Sequence, residues 1–399
     1  MSNCRLCGSE RLKQAFNFGA QPIVHHLLLS AQQHSPLFEF TMASCQDCGF
    51  LQMTQFPEAN LLYDNYFTLS SWKPQPHAEQ LIRVMTRLYG LDDRSRIFEI
   101  GSNDGCFLEL LKSKGFDHIF GVEPTNDASS VAIAKGLPVT RSFYNSRTMD
   151  CLLEQFPDAD CIVSRQVIEH IENLTDFMTC IRSQLKVGGG LVLEFPDHSM
   201  NYEQFDYTFW EEHVNYFTIN TIKYLLSRYG FRVIHYETAL FSGKCLMVFA
   251  VKETEINPTL NGAQQEVMRV EGYVEEFSKF KLGLKTFIEK KCESGQLMMY
   301  GCGARSSNFI NLLELSDYFS CFVDDQREKQ GKICPGNYLP ILGSGQVDLH
   351  ESYIALGVNS ESETTVIKNH KLKRFFSVLP PSRHLPNFWS ISIEQAPQN

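Results

Sequence analysis

The sequence predicts an α/β protein: a doubly wound central sheet, a small cysteine-rich unit before it, and a second, smaller α/β unit after it. Three observations carry this. Short apolar runs alternate with runs of helical period from residue 78 to about 254. Two Cys-x-x-Cys pairs stand ahead of that region, and a second strand–glycine–helix unit opens at Met298. The 399 residues divide accordingly into 1–60, an aromatic connector at 61–77, a central domain at 78–254, and 255–399, which opens on a long helix.

Composition narrows the partners. The net charge is −10, and the basic clusters are short: Lys290-Lys291 lies between Glu289 and Glu293, and Lys371 to Arg374 is brief. A long phosphate backbone needs a basic surface, so no nucleic-acid polymer is expected, whereas a single nucleotide needs only a few donors. No apolar run approaches the roughly 18 residues needed to cross a bilayer, and MSNCRLCGSE lacks an apolar signal core. The expectation is a soluble, cytoplasmic protein with no membrane partner. Of 13 cysteines, those outside the two pairs scatter, several in apolar segments such as those around Cys161 and Cys245. That is the pattern of buried thiols in a reducing compartment, not of a disulfide framework.

In the first unit each pair, Cys4-x-x-Cys7 and Cys45-x-x-Cys48, is followed by a glycine, Gly8 or Gly49. Such a glycine lets the backbone turn its amides toward thiolate sulfurs. Four thiolates from Cys4, Cys7, Cys45 and Cys48 suit a closed tetrahedral Zn2+ site, which is structural rather than catalytic. The intervening 37 residues allow a small β-rich insertion. A unit of this size has little core, so the metal supplies stability. The connector LLYDNYFTLSSWKPQPH is dense in aromatics, Tyr63, Tyr66, Phe67 and Trp72 among them. These either pack it onto the next domain or line a substrate pocket.

The central domain opens on a helical face of Leu81, Ile82, Met85 and Leu88. Strand Ile97–Ile100 ends abruptly in Gly101-Ser102-Asn103-Asp104-Gly105, and a helical run, Cys106 to Lys114, follows. This makes a backbone crevice beside a positive helix N-terminus. Glu123, 18 residues past Gly105 at the end of strand Ile119–Val122, is placed to accept hydrogen bonds from ribose hydroxyls. An adenosine-bearing cofactor is expected. The spacing Glu99-x-Gly101-x-x-x-Gly105 is not the G-x-G-x-x-G of dinucleotide enzymes.

Strands follow at Cys161–Ser164 and Leu191–Phe195, with a helix over Leu174 to Leu185 between them. A helix from Ile219 to Tyr229 stops at Gly230 as a C-cap. Strands Phe231–Glu237 and Cys245–Val251, joined by a turn containing Ser242-Gly243, close the domain as a hairpin. Carboxyl ends of strands face the ligand crevice. Gln166 and His170, in SRQVIEHIEN, are therefore placed to contact cofactor and substrate respectively. By the same rule FDYTFWEEHVNYF, Phe205 to Phe217, covers the cofactor. Its Glu211, Glu212 and His213 put a histidine beside carboxylates, an arrangement suited to a general base. His25-His26 and His384 have no such context.

In the last unit Val267, Val270, Val274, Phe277, Phe280, Leu284, Phe287 and Ile288 share one face of a helix over 263–292. Met298 to Ala304 then forms the second strand–glycine–helix turn, and strand Cys321–Val323 ends in Asp324-Asp325. This reads either as a smaller nucleotide-binding-type domain or as a structural α/β module.

The Glu99 to Gly105 loop resembles motif I of the class I S-adenosylmethionine methyltransferases, whose acidic loop receives a cation rather than a diphosphate. That resemblance implies a seven-stranded sheet and S-adenosyl-L-methionine held by Glu99, Gly101, Asn103, Asp104, Gly105, Glu123 and Gln166. Nearly the whole chain resembles the three-domain sugar C-methyltransferases, which join a zinc-binding domain, a methyltransferase and a C-terminal Rossmann-like domain. The matching segments are the four cysteines, Tyr63 to Ser71, GSNDG at 101–105, GVEP at 121–124, Glu212-His213, GCGA at 301–304 and VDDQREKQGKICPG at 323–336.

The resemblance implies a nucleotide-linked 4-keto-deoxysugar as substrate. His213 removes the proton on C3 beside the ketone, Glu212 orients His213, His170 donates to the enolate oxygen, and the enolate carbon takes the methyl group. It further implies substrate contacts at Tyr66, Ser70, Ser71 and His77; Lys244, in a turn that departs from the family, either contacts a phosphate or is simply exposed. Three positions depart from the family pattern. Trp210 stands where a Tyr is frequent, Gln166 replaces an Asn, and Ser242-Gly243-Lys244-Cys245-Leu246 replaces a GGSLR-like turn. The competing expectations are a methyltransferase directed at oxygen or nitrogen of another small molecule, and a zinc-ribbon adaptor with a vestigial fold.

Overall fold

The computed structural model describes residues 3–57, 62, 75–207, 209–241 and 243–391. The first unit is an antiparallel meander of β1 (Leu12–Pro22), β2 (Leu37–Cys45) and β3 (Leu51–Gln55). Both knuckle glycines adopt positive φ, 82° at Gly8 and 72° at Gly49, the left-handed region that a side chain disfavours. At Gly49 an added Cβ would lie 2.4 Å from the Cβ of Glu266. The glycine thus also lets the second knuckle seat on a helix from the far end of the chain.

The central domain runs α1 (Ala78–Tyr89), β4 (Ile97–Ile100), α2 (Cys106–Ser113), β5 (Ile119–Val122), α3 (Asn126–Ala134), β6 (Val139–Thr140), α4 (Met149–Gln155) and β7 (Ala159–Arg165). It continues through α5 (Leu174–Gln184), β8 (Leu185–Pro196), α6 (Ser199–Gln204), β9 (Asn215–Tyr216), α7 (Ile219–Arg228), β10 (Phe231–Leu240) and β11 (Lys244–Lys252). The sheet has seven strands in the order β10-β11-β8-β7-β4-β5-β6. Only β11 is antiparallel to its neighbours, β10 and β8; the remaining pairs are parallel. This is the class I methyltransferase sheet, closed by the expected hairpin. The central strands β4, β5 and β7 are short and buried on both faces, so they read as continuous apolar runs, whereas the edge strand β10 alternates between half-buried and exposed positions. Local signals set the helix ends: Asn173 accepts from the Asp176 amide at 3.0 Å to cap α5, and Thr218 with Thr221 forms a capping box on α7.

β9 does not join that sheet. It pairs with β3, Leu51 opposite Tyr216 and Gln52 opposite Asn215, as the fourth strand of the cysteine-rich unit. The first unit and the segment that follows His213 therefore share one sheet.

The last unit comprises α8 (Ala263–Lys291), β12 (Leu297–Tyr300), α9 (Ala304–Leu312), β13 (Phe319–Val323), β14 (Ile341–Leu342), β15 (Ile354–Leu356), α10 (Ser360–His370) and β16 (Phe375–Ser377). Its five strands lie parallel in the order β14-β13-β12-β15-β16. α8 buries Val270, Tyr273, Phe277, Phe280, Leu284 and Ile288, the stripe that a 3.6-residue period dictates. These side chains, Phe16, Phe40, Met42 and Met53 of the first sheet, and Phe205, Tyr207 and Phe209 form one continuous core. Each fully buried aromatic contributes about 1.5–3 kcal/mol. The small first unit is thus stabilised by its neighbours as well as by any metal. Among the described residues no helix is long and apolar enough to cross a membrane.

Candidate active site

The four knuckle sulfurs converge. Cys4 Sγ lies 3.7 Å from Cys48 Sγ, and Cys7 Sγ 3.5 Å from Cys45 Sγ; all four fall within 4.8 Å of one another. Tetrahedral zinc with Zn–S bonds of about 2.3 Å places its sulfurs about 3.8 Å apart. The cluster has the spacing, chemistry and closure of a structural zinc site.

At the carboxyl end of β4 the chain turns on Gly101 and Gly105, with φ of 74° and 80°. A Cβ at Gly101 would stand 2.5 Å from Val167 Cγ2, so only glycine leaves the crevice open there. Glu123, at the end of β5, accepts from the Asn103 amide at 3.0 Å, the Thr125 amide at 2.9 Å and Thr125 Oγ1 at 2.6 Å. These bonds fix its carboxyl at the cavity wall, where a ribose would meet it. Glu99 is buried beneath the loop with Oε2 lacking a hydrogen-bond partner. Burial raises its pKa to about 8, against the pull of Arg165. Glu99 lies behind the cavity wall rather than on it, so the fit to an adenosine-bearing cofactor rests on Gly101, Asn103 and Glu123, which line the crevice.

Asp104 does not fit the expectation. Its carboxylate accepts from the Cys106 amide at 3.2 Å and pairs with Lys135 at 3.4 Å, which holds it at the start of α2 rather than on the cavity wall. Gly105 shapes the turn and likewise does not line the cavity. Gln166, with φ of 53°, lines the cavity and donates to Glu194 Oε1 at 3.2 Å.

His170 and His213 meet at the cavity. Their ring centroids lie 4.8 Å apart and nearly perpendicular, and Trp210 covers His213 at 4.2 Å. His213 is 6% exposed. Burial, with the neighbouring His170, lowers its pKa well below the ordinary histidine range, so the ring is a neutral imidazole at neutral pH. His170 Nδ1–H donates to the Glu212 carbonyl at 2.9 Å, leaving Nε2 as the acceptor face. That nitrogen lies 3.9 Å from Glu169 Oε1. Glu169 is buried, its carboxyl oxygens have no hydrogen-bond partner among the described residues, and burial raises its pKa to about 8.

The expected Glu212–His213 pairing is absent among the described residues. The Glu212 carboxylate instead pairs with His25 Nδ1 at 3.1 Å. Glu211 and Glu212 lie in a turn, closed by the His213 amide on the Trp210 carbonyl at 3.1 Å, which turns the Glu212 carboxylate toward His25. His25 is a site residue that sequence reasoning missed.

His77 and Lys244 also depart from expectation. His77 Nε2 bonds Glu194 at 3.1 Å, and Lys244 pairs with Asp197 at 3.1 Å; neither lines the cavity. Tyr66, Ser70 and Ser71 lie outside the described residues, as does the rest of the connector from 63 to 74 and Ser242.

The cavity, of about 1150 Å³, runs from Gly101 and Glu123 past His170 and His213 to the third sheet. There it meets Gly301 to Arg305 at the start of α9, and Asp324-Asp325 after β13. Tyr300 Oη bonds Asp325 Oδ2 and His370 Nε2, each at 2.6 Å. The Cys302 amide donates to Asp324 at 2.9 Å, and Lys329 pairs with Asp324 at 3.3 Å. Arg165 also lines the cavity, its Nη2 unpartnered. A lone charge closing the apolar strand CIVSR was the sequence signal for it.

Residues 75–236 match the family model of a methyltransferase domain, residues 4–63 that of a zinc binding domain, and residues 247–371 that of the C-methyltransferase C-terminal domain. The C-methyltransferase NovU of Streptomyces niveus is 24% identical over 392 residues, covering 93% of this chain and 92% of its own. Among solved structures, S-adenosylmethionine-dependent methyltransferases from Clostridium acetobutylicum and Mesorhizobium loti are 12% and 17% identical. They cover 47% and 44% of this chain and 95% and 98% of their own, with TM-scores of 0.38 and 0.34. At such scores the fold assignment rests on the strand order described above.

Proposed function

We propose that this chain, which belongs to the three-domain C-methyltransferases, methylates C3 of a nucleotide-linked 4-keto-deoxysugar. It is an S-adenosylmethionine-dependent methyltransferase with a structural zinc site. We read its units as residues 1–60, 78–254 and 255–399, and its working compartment as the cytoplasm, with no nucleic-acid polymer or membrane as partner.

One observation carries the substrate reading: a single cavity joins the cofactor crevice to the crevice of the last unit, with the histidine pair between them. A sugar nucleotide is a ligand with a nucleoside at one end and the reacting carbon at the other. Its diphosphate lies against Gly301 to Ala304, near the positive start of α9, its ribose hydroxyls lie by Asp325, and its sugar lies by His213. Gly101, Asn103, Glu123 and Gln166 hold the cofactor, which when bound supplies an electrophilic methyl group.

His213, neutral and shielded by Trp210, removes the C3 proton, which the neighbouring ketone acidifies. Charge then develops on the ketone oxygen. His170, with its Nδ1–H committed to the backbone and its pKa lowered by burial, has no proton to give there; Glu169, kept protonated by burial and lining the same cavity, is the group that can donate it. Trp210, packed over His213, shields that side of the carbanion from water.

Two results are expected. Methyl-labelled cofactor incubated with a nucleotide-linked 4-keto-deoxyhexose gives a product whose label is on C3 by NMR. Label on oxygen or nitrogen would overturn the reading. Calorimetry finds S-adenosylhomocysteine binding and none of NADH; tight NADH binding would contradict the cofactor assignment.

The pH profile follows from the lowered His213 pKa. A base with a depressed pKa stays in its active neutral form as pH falls, and is lost only when pH drops through that lower value. The acidic limb of kcat/KM therefore lies well below about 6.5, the ordinary histidine value. A limb at or above that value would assign the step to another group.

A further inference from the structure

We infer that His25, together with Arg5, is a positioning residue through which the cysteine-rich unit holds the His213 segment in its working place. This rests on the reading of His213 as the base.

The His25 ring stands between two carboxylates of that segment. Its Nδ1 lies 3.1 Å from Glu212 Oε1 and 3.6 Å from Glu211 Oε1. Its Nε2 lies 3.3 Å from the Leu62 carbonyl. Both nitrogens thus face acceptors, which is the environment of an imidazolium. Burial opposes that charge, but Glu211 and Glu212 overcome it and hold the pKa at about 10. Among the described residues a further titratable neighbour is His26, in ring contact at 4.8 Å and itself lowered by burial and by His25. The adjacent Val24 amide donates to Glu211 Oε1 at 2.7 Å. Glu211 and Glu212 are thus bound from β1's end of the chain, on the residues immediately before His213.

The residue immediately after His213 is bound from the same unit. Arg5, between the paired cysteines Cys4 and Cys7, donates from Nη1 to the Val214 carbonyl at 3.0 Å and from Nη2 to the Met53 carbonyl at 2.6 Å. The Met53 amide donates to the same Val214 carbonyl at 3.0 Å. On the other side, the Val214 amide donates to the Glu169 carbonyl at 2.9 Å, and Asn215 Nδ2 donates to the Ile171 carbonyl at 2.7 Å. His213 is therefore clamped between the methyltransferase domain, which holds Val214 through its amide, and the cysteine-rich unit, which holds Glu211, Glu212 and the Val214 carbonyl. No contact of this clamp touches the Gly101 to Gly105 loop or Glu123, so its loss separates catalysis from cofactor binding.

The test uses the full chain labelled at histidine with 13C and 15N, with the His213 resonances assigned by their loss in His213→Gln. In His25→Gln the ion pairs go while shape is largely kept. The expected result is a shifted or broadened His213 resonance, turnover lower by about 10–100-fold as for a misplaced catalytic group, and S-adenosylhomocysteine affinity by calorimetry within about twofold of the parent. His25→Lys, which keeps a positive charge between the carboxylates, recovers part of the turnover. Arg5→Met gives the same signature, and it carries the test if His25→Gln does not fold. An unmoved His213 resonance with parental turnover in both variants overturns the inference. If instead His213→Ala keeps turnover while His25→Gln still moves the His213 resonance, the clamp stands and the assignment of the base fails.

Discussion

His213→Ala is expected to lose about 10²–10⁴-fold of turnover, the usual cost of removing a general base, while binding S-adenosylhomocysteine as tightly as the parent chain. The separation follows from the geometry. The cofactor residues sit on the loops after β4, β5 and β7, whereas His213 sits on the segment ahead of β9, held by its own backbone: the His213 amide donates to the Trp210 carbonyl at 3.1 Å, and Val214 is bonded on both sides. Alanine keeps all of these bonds. What it removes is the ring packed on Trp210 and His170, a change in the ordinary range of about 0.5–3 kcal/mol of stability. The variant should fold, bind cofactor and fail to make product. Trp210 has no hydroxyl that could act in its place. A His213→Ala protein with near-parental turnover would move the base elsewhere, and His170 would be tested next.

The second large effect is expected from the metal. The purified chain should carry one zinc, and Cys45→Ser should carry almost none. Structural zinc in thiolate sites contributes about 10–16 kcal/mol of apparent binding free energy, and a serine hydroxyl is a poor substitute for a thiolate. Cys45 ends β2, and its backbone accepts from the Gly49 amide at 2.9 Å while its own amide donates to Phe50 at 2.9 Å, so the knuckle loses its turn with its metal. Cys4, Cys45, Cys48 and Phe50 belong to the same apolar cluster as Phe217 and the sheet residues behind it. Disorder in the knuckle should therefore reach the His213 segment, lowering turnover and solubility together. Metal analysis that finds full zinc in Cys45→Ser, or none in the parent, would show the site misassigned.

The strands that build the cofactor crevice were legible because their signals are local. An apolar run ended by glycines at positive φ can do little but turn, and β4 and β5 lie where Ile97–Ile100 and Ile119–Val122 were read. The closing hairpin and the long helix α8 were legible for the same reason, each carrying its own period. The failures are all tertiary. Asp104 reads as a cofactor ligand until Lys135, 31 residues on, captures it. Glu212 reads as the partner of its neighbour His213, but an imidazole 187 residues earlier takes it. β9 is two residues long, too short to show any period, so nothing in the sequence joins the His213 segment to the cysteine-rich sheet. The aromatics of Phe205 to Phe217 suggested a lid. Most of them are core, and Trp210 alone among them lines the cavity. His25 had no local pattern at all, since an ion pair across the fold leaves no trace in spacing.

On the proposed reading, the site makes a carbanion at C3 before methyl transfer. The most direct measurement is exchange of that proton in deuterium oxide, using a nucleotide-linked 4-keto-deoxyhexose and S-adenosylhomocysteine in place of the methyl donor. The parent chain should wash deuterium into C3, and His213→Ala should do so more slowly by the same about 10²–10⁴-fold as its turnover. No enzyme-dependent exchange in the parent, or exchange at the parental rate in His213→Ala, would contradict the account.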